Sequence, residues 1–316
     1  MRLLVTRQMT EAARDAIAAR FDVDFRDKGP LSEQAAAQAL ADYDAVLPTL
    51  GDRFTAGAFA GGSPRCRLLA NFGVGYNHID VTAARAAGVA VTNTPDAVTD
   101  STADIALTLL LMTARRAGEG ERLVRCGAWT GWTPTQLLGT HVTGKTVGII
   151  GMGRIGKAIA ARCYHGFGMQ VLFFNRSAVS APGVPARRVS DLHDLLRTCD
   201  FAVLAVPGGA GTRHMISAAE LDALGPRGFL INVARGDVVD ETALIAALQT
   251  GRIAGAGLDV YEHEPIVPKA LMSMENVTLL PHLGTAAEEI RTAMGLRALD
   301  NLIAFSEGRS LPDLVN

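Results

Sequence analysis

The chain has 316 residues, of which 48% are hydrophobic and 20% are charged, and its formal net charge is −2. This length gives room for two domains of ordinary size, and the composition is typical of a soluble globular protein. The near-balance of charge favours neither nucleic acid nor an anionic membrane as a partner, and no apolar run approaches membrane-spanning length.

The cysteines and the N-terminal residues indicate the compartment. Cys66, Cys126, Cys163 and Cys199 form no C-x-x-C pair and no Cys/His ligand spacing, so we expect free thiols in a reducing compartment and no metal site. The first apolar run is too short for a signal peptide and predicts a strand instead. We therefore expect a cytoplasmic protein.

The first hundred residues alternate between strand and helix patterns. Ser32 is placed to cap the second helix, Pro48 ends the third strand, and the turn Gly73-Val74-Gly75 follows the fourth. This alternation predicts an α/β unit of the flavodoxin kind. The predicted strands are 3–6, 21–25, 45–47 and 68–72, and the predicted helices are 11–20 and 32–41 with its cap.

The pattern breaks near Thr92-Asn93-Thr94-Pro95 and restarts at Lys145. Between these points lie a long apolar helix, predicted over 102–116, and a loop rich in glycine and tryptophan over 127–139. Six strands with helical crossovers then match a complete Rossmann sheet. The predicted strands are 146–150, 171–174, 201–205, 229–232, 255–259 and 277–280, with helices at 155–164, 191–197 and 241–249 among them.

A last helix pattern, over 286–306, has no strand after it, and we expect this helix to return to the first domain. The sequence thus predicts an α/β protein of two doubly wound parallel-sheet domains. The flavodoxin-like substrate domain is discontinuous and comprises residues 1–97 and 285–316. A Rossmann domain, residues 98–284, is inserted into it.

The most informative motif is a strand pattern that runs directly into Gly-x-Gly-x-x-Gly and then into a helix. Gly151 permits the tight turn, Gly153 lets the backbone approach a pyrophosphate, and Gly156 lets the helix pack closely on the strand. The N–H groups of the first helical turn would then face the phosphates. The motif predicts dinucleotide binding by the loop 151–156, which includes Met152, Arg154 and Ile155.

The end of the next strand indicates which dinucleotide is bound. An NAD site has an acidic residue there for the ribose 2′-hydroxyl, whereas this chain has Asn175-Arg176-Ser177 and no carboxylate before Asp191. Asn175 and Ser177 offer hydrogen bonds to a 2′-phosphate, and Arg176 offers a charge-assisted one. The turn favours NADP(H), with NAD(H) as the alternative cofactor, although an ordinary polar turn with a solvated arginine has the same residues.

Three side chains follow the carboxyl ends of neighbouring predicted strands, where doubly wound sheets bind ligands. They are Arg235, Glu264 and His282. Singly, they could be a surface charge, a turn carboxylate and a loop histidine. Together they suit the reduction of a 2-oxo acid: the cation holds a carboxylate and polarises a carbonyl, the imidazolium donates a proton, and the carboxylate orients the imidazole and favours its charged form.

These segments resemble the D-isomer-specific 2-hydroxyacid dehydrogenases, and the resemblance runs essentially end to end. It is carried by residues 151–156, 232–240, 257–265 and 281–284. Residues 71–77, 92–95 and 129–134 narrow it to the glyoxylate/hydroxypyruvate reductase branch, which implies NADPH preference and a homodimer. Three positions depart from the family pattern: Thr285 stands where serine is common, Ala287 lies where the family often has a threonine nearby, and Asp96 follows Pro95 where glycine is common.

The resemblance implies roles for these residues. Arg235, Glu264 and His282 form the catalytic set, and Arg235 and His282 also contact the substrate. The backbone N–H groups of Val74 and Gly75 hold the substrate carboxylate. The further implied residues are Leu50 and Gly51 at the substrate and Thr102 and Asp259 at the nicotinamide half of the cofactor. The other implied cofactor-binding residues are Val206, Pro207, Thr212, Val233, Ala234, Arg235, His282 and Gly284.

Trp132 has two interpretations. In the branch that the chain resembles, a matching tryptophan reaches the active site of the partner subunit and limits substrate size. The alternative is that Trp132 belongs to the core of a subunit interface and contacts no substrate.

The predicted function is NADPH-dependent reduction of small 2-oxo acids, glyoxylate and hydroxypyruvate foremost, by hydride transfer with His282 as general acid. Two alternatives stay open: a dinucleotide-sensing binding protein of the co-repressor kind, and a related dehydrogenase acting on bulkier 2-oxo acids. A formate dehydrogenase is disfavoured because that branch has an amide where this chain has Glu264.

Overall fold

Two parallel β-sheets, one in each of two units, organise the chain. The computed structural model describes all 316 residues. Residues Met1–Val98 and Thr285–Asn316 form the first unit, and Thr99–Gly284 form the second. None of the helices is both long enough and apolar enough to cross a bilayer.

The sheet of the first unit has five parallel strands in the order β2-β1-β3-β4-β5. This is the strand order of flavodoxin-like folds. The residues of the central strands are buried because helices cover both faces of the sheet, as expected for a parallel sheet. The strands are β1 (Arg2–Val5), β2 (Asp22–Phe25), β3 (Ala45–Leu47), β4 (Leu68–Ala70) and β5 (Ala90–Thr92).

Side-chain caps fix where two helices of the first unit begin. Ser32 accepts a hydrogen bond from the Ala35 N–H, as its sequence position predicted, and Asp80 accepts two at the start of the third helix. That third helix and β5 were not predicted, because segments of six and three residues are too short for a periodic pattern. The helices are α1 (Glu11–Ala18), α2 (Glu33–Asp42) and α3 (Val81–Ala86).

The sheet of the second unit has seven parallel strands, in an order that reads 3-2-1-4-5-6-7 along the unit. This is the Rossmann order with one strand added. The prediction of six strands missed β8 because two of its three residues are exposed arginines, so it shows no strand pattern. The strands are β6 (Thr146–Ile150), β7 (Gln170–Phe174), β8 (Ala186–Arg188), β9 (Phe201–Leu204), β10 (Phe229–Asn232), β11 (Gly255–Leu258) and β12 (Val277–Leu279).

The long apolar helix begins earlier and ends sooner than predicted. Arg116 lies in the left-handed region with φ +52°, which separates this helix from a second one that the sequence analysis missed. The helices of the second unit are α4 (Thr99–Ala114), α5 (Ala117–Arg125), α6 (Arg154–Phe167), α7 (Leu192–Thr198), α8 (Ala218–Leu224), α9 (Glu241–Gln249) and α10 (Lys269–Met272). The final helix, α11 (Glu288–Ser306), belongs to the first unit.

Alternate strand residues of the second unit enter two separate cores. Ile149, Val203 and Ile231 pack with α4 and α6 on one face, whereas Ile150 and Leu204 pack with α7, α8 and α9 on the other. Successive side chains of a strand point to opposite faces, so a sheet covered on both sides needs apolar residues at every position. The prediction of two doubly wound parallel-sheet domains is confirmed.

Candidate active site

The glycine loop joins β6 to α6 and leaves open space at its centre. Gly151 has φ +100°, and a Cβ atom there would lie 2.6 Å from the Ala205 carbonyl oxygen. A Cβ atom on Gly156 would collide with the Gly151 carbonyl. A Cβ atom on Gly153 would meet nothing within 4 Å, and no side chain caps α6 at Gly153. The first turn of α6 therefore fits the pyrophosphate of a dinucleotide.

The turn after β7 is bound to the glycine loop by one side chain. Asn175 Oδ1 accepts a hydrogen bond of 3.1 Å from the Met152 N–H, and Asn175 Nδ2 donates to the carbonyl and hydroxyl oxygens of Ser177, both at 3.0 Å. The Asn175 amide is thus engaged within the protein rather than free for a 2′-phosphate. Arg176 is exposed, and its guanidinium lies close to Gly211: a Cβ atom added to Gly211 would be 3.1 Å from Arg176 Nη1.

A second guanidinium at this turn was missed by the sequence analysis. Arg188 lies on β8, and its Nη2 donates a hydrogen bond of 2.9 Å to the Asn175 carbonyl oxygen. Because β8 was not predicted, nothing in the sequence indicated that Arg188 would lie beside a turn 13 residues earlier. The turn therefore has two arginines beside it, and Asn175, Arg176 and Ser177 include no carboxylate.

The loop after β9 is closed by a buried hydroxyl. Thr212 Oγ1 donates a hydrogen bond of 2.7 Å to the Pro207 carbonyl oxygen and lies 3.2 Å from the Gly209 carbonyl oxygen. Val206 and Pro207, two further predicted cofactor residues, lie at the start of this loop. Thr212 thus fixes the loop that carries them.

His282 and Glu264 form the chemically most distinctive contact of the second unit. His282 Nδ1 lies 2.9 Å from Glu264 Oε2, and Glu264 Oε1 accepts a hydrogen bond of 3.1 Å from the Tyr261 N–H. Both side chains are about one-third exposed, at 31% and 30%. His282 Nε2 has no partner within the protein, so it is available to a ligand. The backbone of His282 is left-handed, with φ +56°.

The ionisation of Glu264 reflects its partners. Burial opposes the charged carboxylate, but the hydrogen bond from His282, the charge of that imidazole, the Tyr261 N–H and the charge of Arg235 together hold the pKa of Glu264 below its ordinary value. This pair suits a proton donor held in one orientation.

Arg235 is a desolvated cation with an unused donor. Its Nη1 donates a hydrogen bond of 2.6 Å to the Ala234 carbonyl oxygen, while Nε is buried and has no partner. The Asn232 side chain holds this segment by accepting from the Ala234 N–H and donating to the Arg235 carbonyl oxygen, both at 3.0 Å. Burial lowers the pKa of Arg235, against the charges of Glu264 and Asp237. An anionic ligand would supply the missing acceptor.

Asp259 and Thr102 meet at the loop that carries His282. Asp259, which is 2% exposed, accepts hydrogen bonds from the N–H groups of Leu283 at 2.6 Å and Gly284 at 2.8 Å. Thr102 Oγ1 donates to the Gly284 carbonyl oxygen at 3.2 Å. Burial raises the pKa of Asp259 despite these N–H groups. Thr102, Asp259 and Gly284, three of the predicted cofactor residues, therefore lie in contact with one another. Two others, Val233 and Ala234, directly follow β10.

Tyr261 ties two strand ends together. Its hydroxyl donates a hydrogen bond of 2.9 Å to the Leu280 carbonyl oxygen, and its N–H supports Glu264. A Cβ atom on Gly236 would collide with the Tyr261 carbonyl, so the segment after Arg235 passes directly beside Tyr261. Sequence reasoning assigned no role to Tyr261, because its contacts depend on the order of the strands.

In the first unit, Leu50 and Gly51 lie on a loop after β3 that a buried carboxylate holds. The Asp52 side chain is fully buried and accepts hydrogen bonds from the Thr49 N–H at 2.9 Å and from Arg7 at 3.0 Å. The Leu31 N–H and the Thr6 hydroxyl complete its partners. Asp52 was missed by the sequence analysis, since an aspartate in a loop gives no sign of burial. Leu50 is exposed.

The four cysteines are all unpaired: Cys66, Cys163 and Cys199 are buried, and Cys126 is exposed. Burial raises the pKa of each of the three buried thiols to about 12. They are therefore protonated at neutral pH and behave as small apolar groups. The structure contains no cluster of three or more histidine, cysteine, aspartate or glutamate side chains arranged for a metal ion.

Comparison with known proteins identifies the family. Residues 107–284 match the model of the D-isomer specific 2-hydroxyacid dehydrogenase, NAD binding domain. The chain is 42% identical over 321 residues to the glyoxylate reductase of Thermococcus gammatolerans, covering all of this chain and 96% of that protein. The chain belongs to the D-isomer specific 2-hydroxyacid dehydrogenase family, in its glyoxylate reductase branch, as the sequence motifs predicted.

Solved structures agree with this assignment. A protein from Thermus thermophilus superimposes with a TM-score of 0.92 at 36% identity, over the whole of both chains. The NADPH-dependent glyoxylate/hydroxypyruvate reductase from Sinorhizobium meliloti, solved in complex with NADP and malonate, has a TM-score of 0.89 at 36% identity over 99% of this chain and 96% of that chain.

Proposed function

We propose that this protein reduces small 2-oxo acids, glyoxylate and hydroxypyruvate foremost, to D-2-hydroxy acids with NADPH. The observation that carries the proposal is the contact between His282 and Glu264, which leaves Nε2 of the imidazole without a protein partner. The charge of the desolvated Arg235 also acts on the Glu264 carboxylate. The glyoxylate reductases among its relatives support the substrate class.

Each catalytic residue has one task in this proposal. Arg235 binds the anionic substrate and draws electron density from its carbonyl. Bound NADPH supplies the hydride that is added to the carbonyl carbon. His282 donates the proton from Nε2 to the carbonyl oxygen, so that an alcohol forms and the imidazole becomes neutral, while Glu264 holds the ring through Nδ1.

The first unit would bind the substrate through backbone groups. We assign the N–H groups of Val74 and Gly75 to the carboxylate, and Leu50 and Gly51 to the rest of the small substrate. This assignment follows the family resemblance, and it is supported by the lack of any backbone acceptor for those two N–H groups within the loop.

For the cofactor, we assign the pyrophosphate to residues 151–156 and the adenosine ribose to the turn of Asn175, Arg176 and Ser177. Arg188 supports the same turn. We assign the nicotinamide half to Thr102, Asp259 and Gly284. NADPH is preferred in this proposal, and NADH is the weaker alternative, because the turn has guanidinium groups where an NAD site has a carboxylate.

Replacing Arg176 by alanine tests the cofactor preference. We expect kcat/KM for NADPH to fall about tenfold or more, because the variant loses one charge-assisted hydrogen bond to the 2′-phosphate. The value of kcat/KM for NADH should change less than about twofold. Arg187→Ala is the matched control, since Arg187 is an exposed arginine on β8 with no assigned contact. Equal weakening of both cofactors by Arg176→Ala would contradict the assignment of Arg176 to a 2′-phosphate.

Replacing Glu264 by glutamine tests the pairing with His282. The carboxylate and the imidazolium stabilise each other, and this holds the pKa of Glu264 down. Glutamine keeps a hydrogen-bonding group at this position but removes the negative charge that faces the imidazole, so we expect the alkaline limb of kcat/KM for reduction to move to lower pH. The control is Glu262→Gln, which alters another histidine–glutamate contact, to His214 at 2.8 Å. If the alkaline limb of kcat/KM in Glu264→Gln lay at the same pH as in wild type, the assignment of Glu264 as the partner of His282 would be contradicted.

We further propose a homodimer in the cytoplasm, the compartment being supported by four unpaired cysteines. Four apolar side chains near the end of α5 and beyond it are 52–78% exposed, namely Val124, Trp129, Trp132 and Leu138. Several large apolar side chains exposed along one stretch of the chain favour a protein interface there. Light scattering should give twice the chain mass of 33.2 kDa.

Replacing Trp132 by alanine distinguishes its two interpretations. If Trp132 limits substrate size, Trp132→Ala should favour phenylpyruvate over glyoxylate. If Trp132 belongs to the core of the interface, dimer dissociation should increase instead.

One experiment tests the proposed function as a whole. Initial rates are measured with glyoxylate, hydroxypyruvate, pyruvate and phenylpyruvate, each with NADPH and with NADH, and the configuration of the product is determined. We expect the highest kcat/KM for the two small acids with NADPH, and D-configured products where a chiral centre forms. No turnover of any of these acids would favour a dinucleotide-sensing binding protein, and preference for phenylpyruvate would favour a dehydrogenase of bulkier acids.

A further inference from the structure

The loop Gly73-Val74-Gly75, which follows β4, has all three of its carbonyl oxygens bound by asparagine side chains. Asn71 Nδ2 donates hydrogen bonds to the carbonyl oxygens of Gly73 at 3.0 Å and Gly75 at 3.1 Å. Asn93 Nδ2 donates to the Val74 carbonyl oxygen at 3.0 Å. Asn71 is fully buried, and both asparagines belong to the first unit. The Thr94 N–H also donates to the Gly73 carbonyl oxygen, at 3.1 Å. Two side-chain amides and this N–H therefore restrain three successive peptides.

This restraint decides which backbone groups face a ligand. In a trans peptide the carbonyl and the following N–H point in opposite directions. Holding the Gly73 carbonyl toward Asn71 turns the Val74 N–H away from that amide, and holding the Val74 carbonyl toward Asn93 does the same for the Gly75 N–H. Neither N–H has a backbone acceptor. Successive free N–H groups in such a turn bind anions.

We propose that Asn71 and Asn93 are positioning residues for the substrate carboxylate, and that they act by holding the carbonyl oxygens of this loop so that two N–H groups stay free. The inference rests on the proposed function for the identity of the anion, a small carboxylate. Only a side chain with N–H donors serves here: an aspartate of the same shape would place an oxygen against each carbonyl oxygen. The asparagines themselves touch no substrate.

The test compares carboxylate binding with the other properties of the enzyme. Asn93→Ala should raise KM for glyoxylate and the dissociation constant of oxamate about tenfold, because the loop loses one of its restraints and the N–H groups lose their orientation. The dissociation constant of NADPH, and kcat, should change less than about threefold. Asn77→Ala, an exposed asparagine two residues beyond the loop, is the matched control and should leave all of these values unchanged.

A neutral substrate separates positioning from general damage. Methyl glyoxylate has the same carbonyl but no carboxylate, so Asn93→Ala should leave its kcat/KM unchanged. An equal fall for glyoxylate and its ester, or an unchanged KM for glyoxylate, would overturn the inference. Asn71→Asp extends the test to the buried amide; if that variant does not fold, Asn93→Ala decides.

Calorimetry distinguishes failure of this inference from failure of the proposed function. Oxamate binding requires no turnover, so it is measured on wild type and Asn93→Ala with NADP+ present. Wild type that reduces no 2-oxo acid, yet binds oxamate more tightly than Asn93→Ala does, would refute the function and support the inference. If wild type reduces glyoxylate but Asn93→Ala binds oxamate as tightly as wild type does, the proposed function is supported and this inference is refuted. Wild type that neither binds oxamate nor reduces glyoxylate would refute both.

Discussion

Replacing His282 by alanine is expected to lower kcat for glyoxylate reduction by at least about 100-fold, the lower range for loss of a general acid. The structural reason is that His282 Nδ1 is engaged by Glu264 at 2.9 Å, whereas Nε2 is free to donate a proton to a substrate oxygen. NADPH binding should change much less than kcat, because the pyrophosphate and the adenosine ribose are assigned to residues 151–156 and 175–177, at the ends of other strands. Steady-state kinetics and fluorescence titration with NADPH measure the two effects separately.

The chain provides an internal control for this prediction. His214 contacts Glu262 at 2.8 Å, so it is a second histidine–glutamate pair in the same unit without an assigned role in proton transfer. His214→Ala should retain kcat within about threefold. Near-wild-type turnover in His282→Ala, or an equal loss in both variants, would contradict the assignment of His282 as the general acid.

Replacing Arg235 by methionine is expected to lower kcat/KM for glyoxylate by about 10² to 10³, the cost of removing one charged group from a developing oxyanion. The same change should leave the thermal unfolding midpoint unchanged or raise it. Burial lowers the pKa of Arg235, which means that the folded protein disfavours this charge, and Nε is buried without a partner. An apolar side chain of similar length avoids that cost.

We therefore expect Arg235→Met to lose activity without losing stability. Kinetics measures kcat/KM for glyoxylate and calorimetry measures the thermal unfolding midpoint, both on the same preparation. Arg252→Met is the control, since Arg252 pairs with Asp222 at 2.9 Å on the surface and both properties should stay near wild type. A retained kcat/KM in Arg235→Met, or a large fall in its unfolding midpoint, would assign Arg235 a structural role instead.

Much of the site was predictable because its signals are local in the sequence. The glycine loop needs only neighbouring residues to define a strand, a turn and a helix. The two turns that follow β10 and β11, and the loop after β12, could be recognised as strand ends from buried apolar runs. Arg235, Glu264 and His282 were found in this way, although their distances from one another were not.

The misses concern short or exposed elements. The exposed arginines of β8 give no strand pattern, so Arg188 was not connected with the turn at Asn175, and the Asn175 amide was expected to face the cofactor rather than Met152 and Ser177. The departure from the family pattern at Asp96 is explained by the backbone conformation of that residue. Asp96 adopts φ +72°, the left-handed conformation that a glycine favours, and aspartate tolerates that region better than most residues do.

By itself, the sequence determined the family, the α/β class, the dinucleotide loop and the identities of the three polar strand-end residues. These follow from local spacing and from which residues are apolar, both of which can be read along the chain. The tertiary structure decided the partners: Glu264 with His282, Arg188 with Asn175, and Asn93 with Val74. Each of these contacts joins residues from different strand ends or loops, and only the order of strands in a folded sheet brings such residues together.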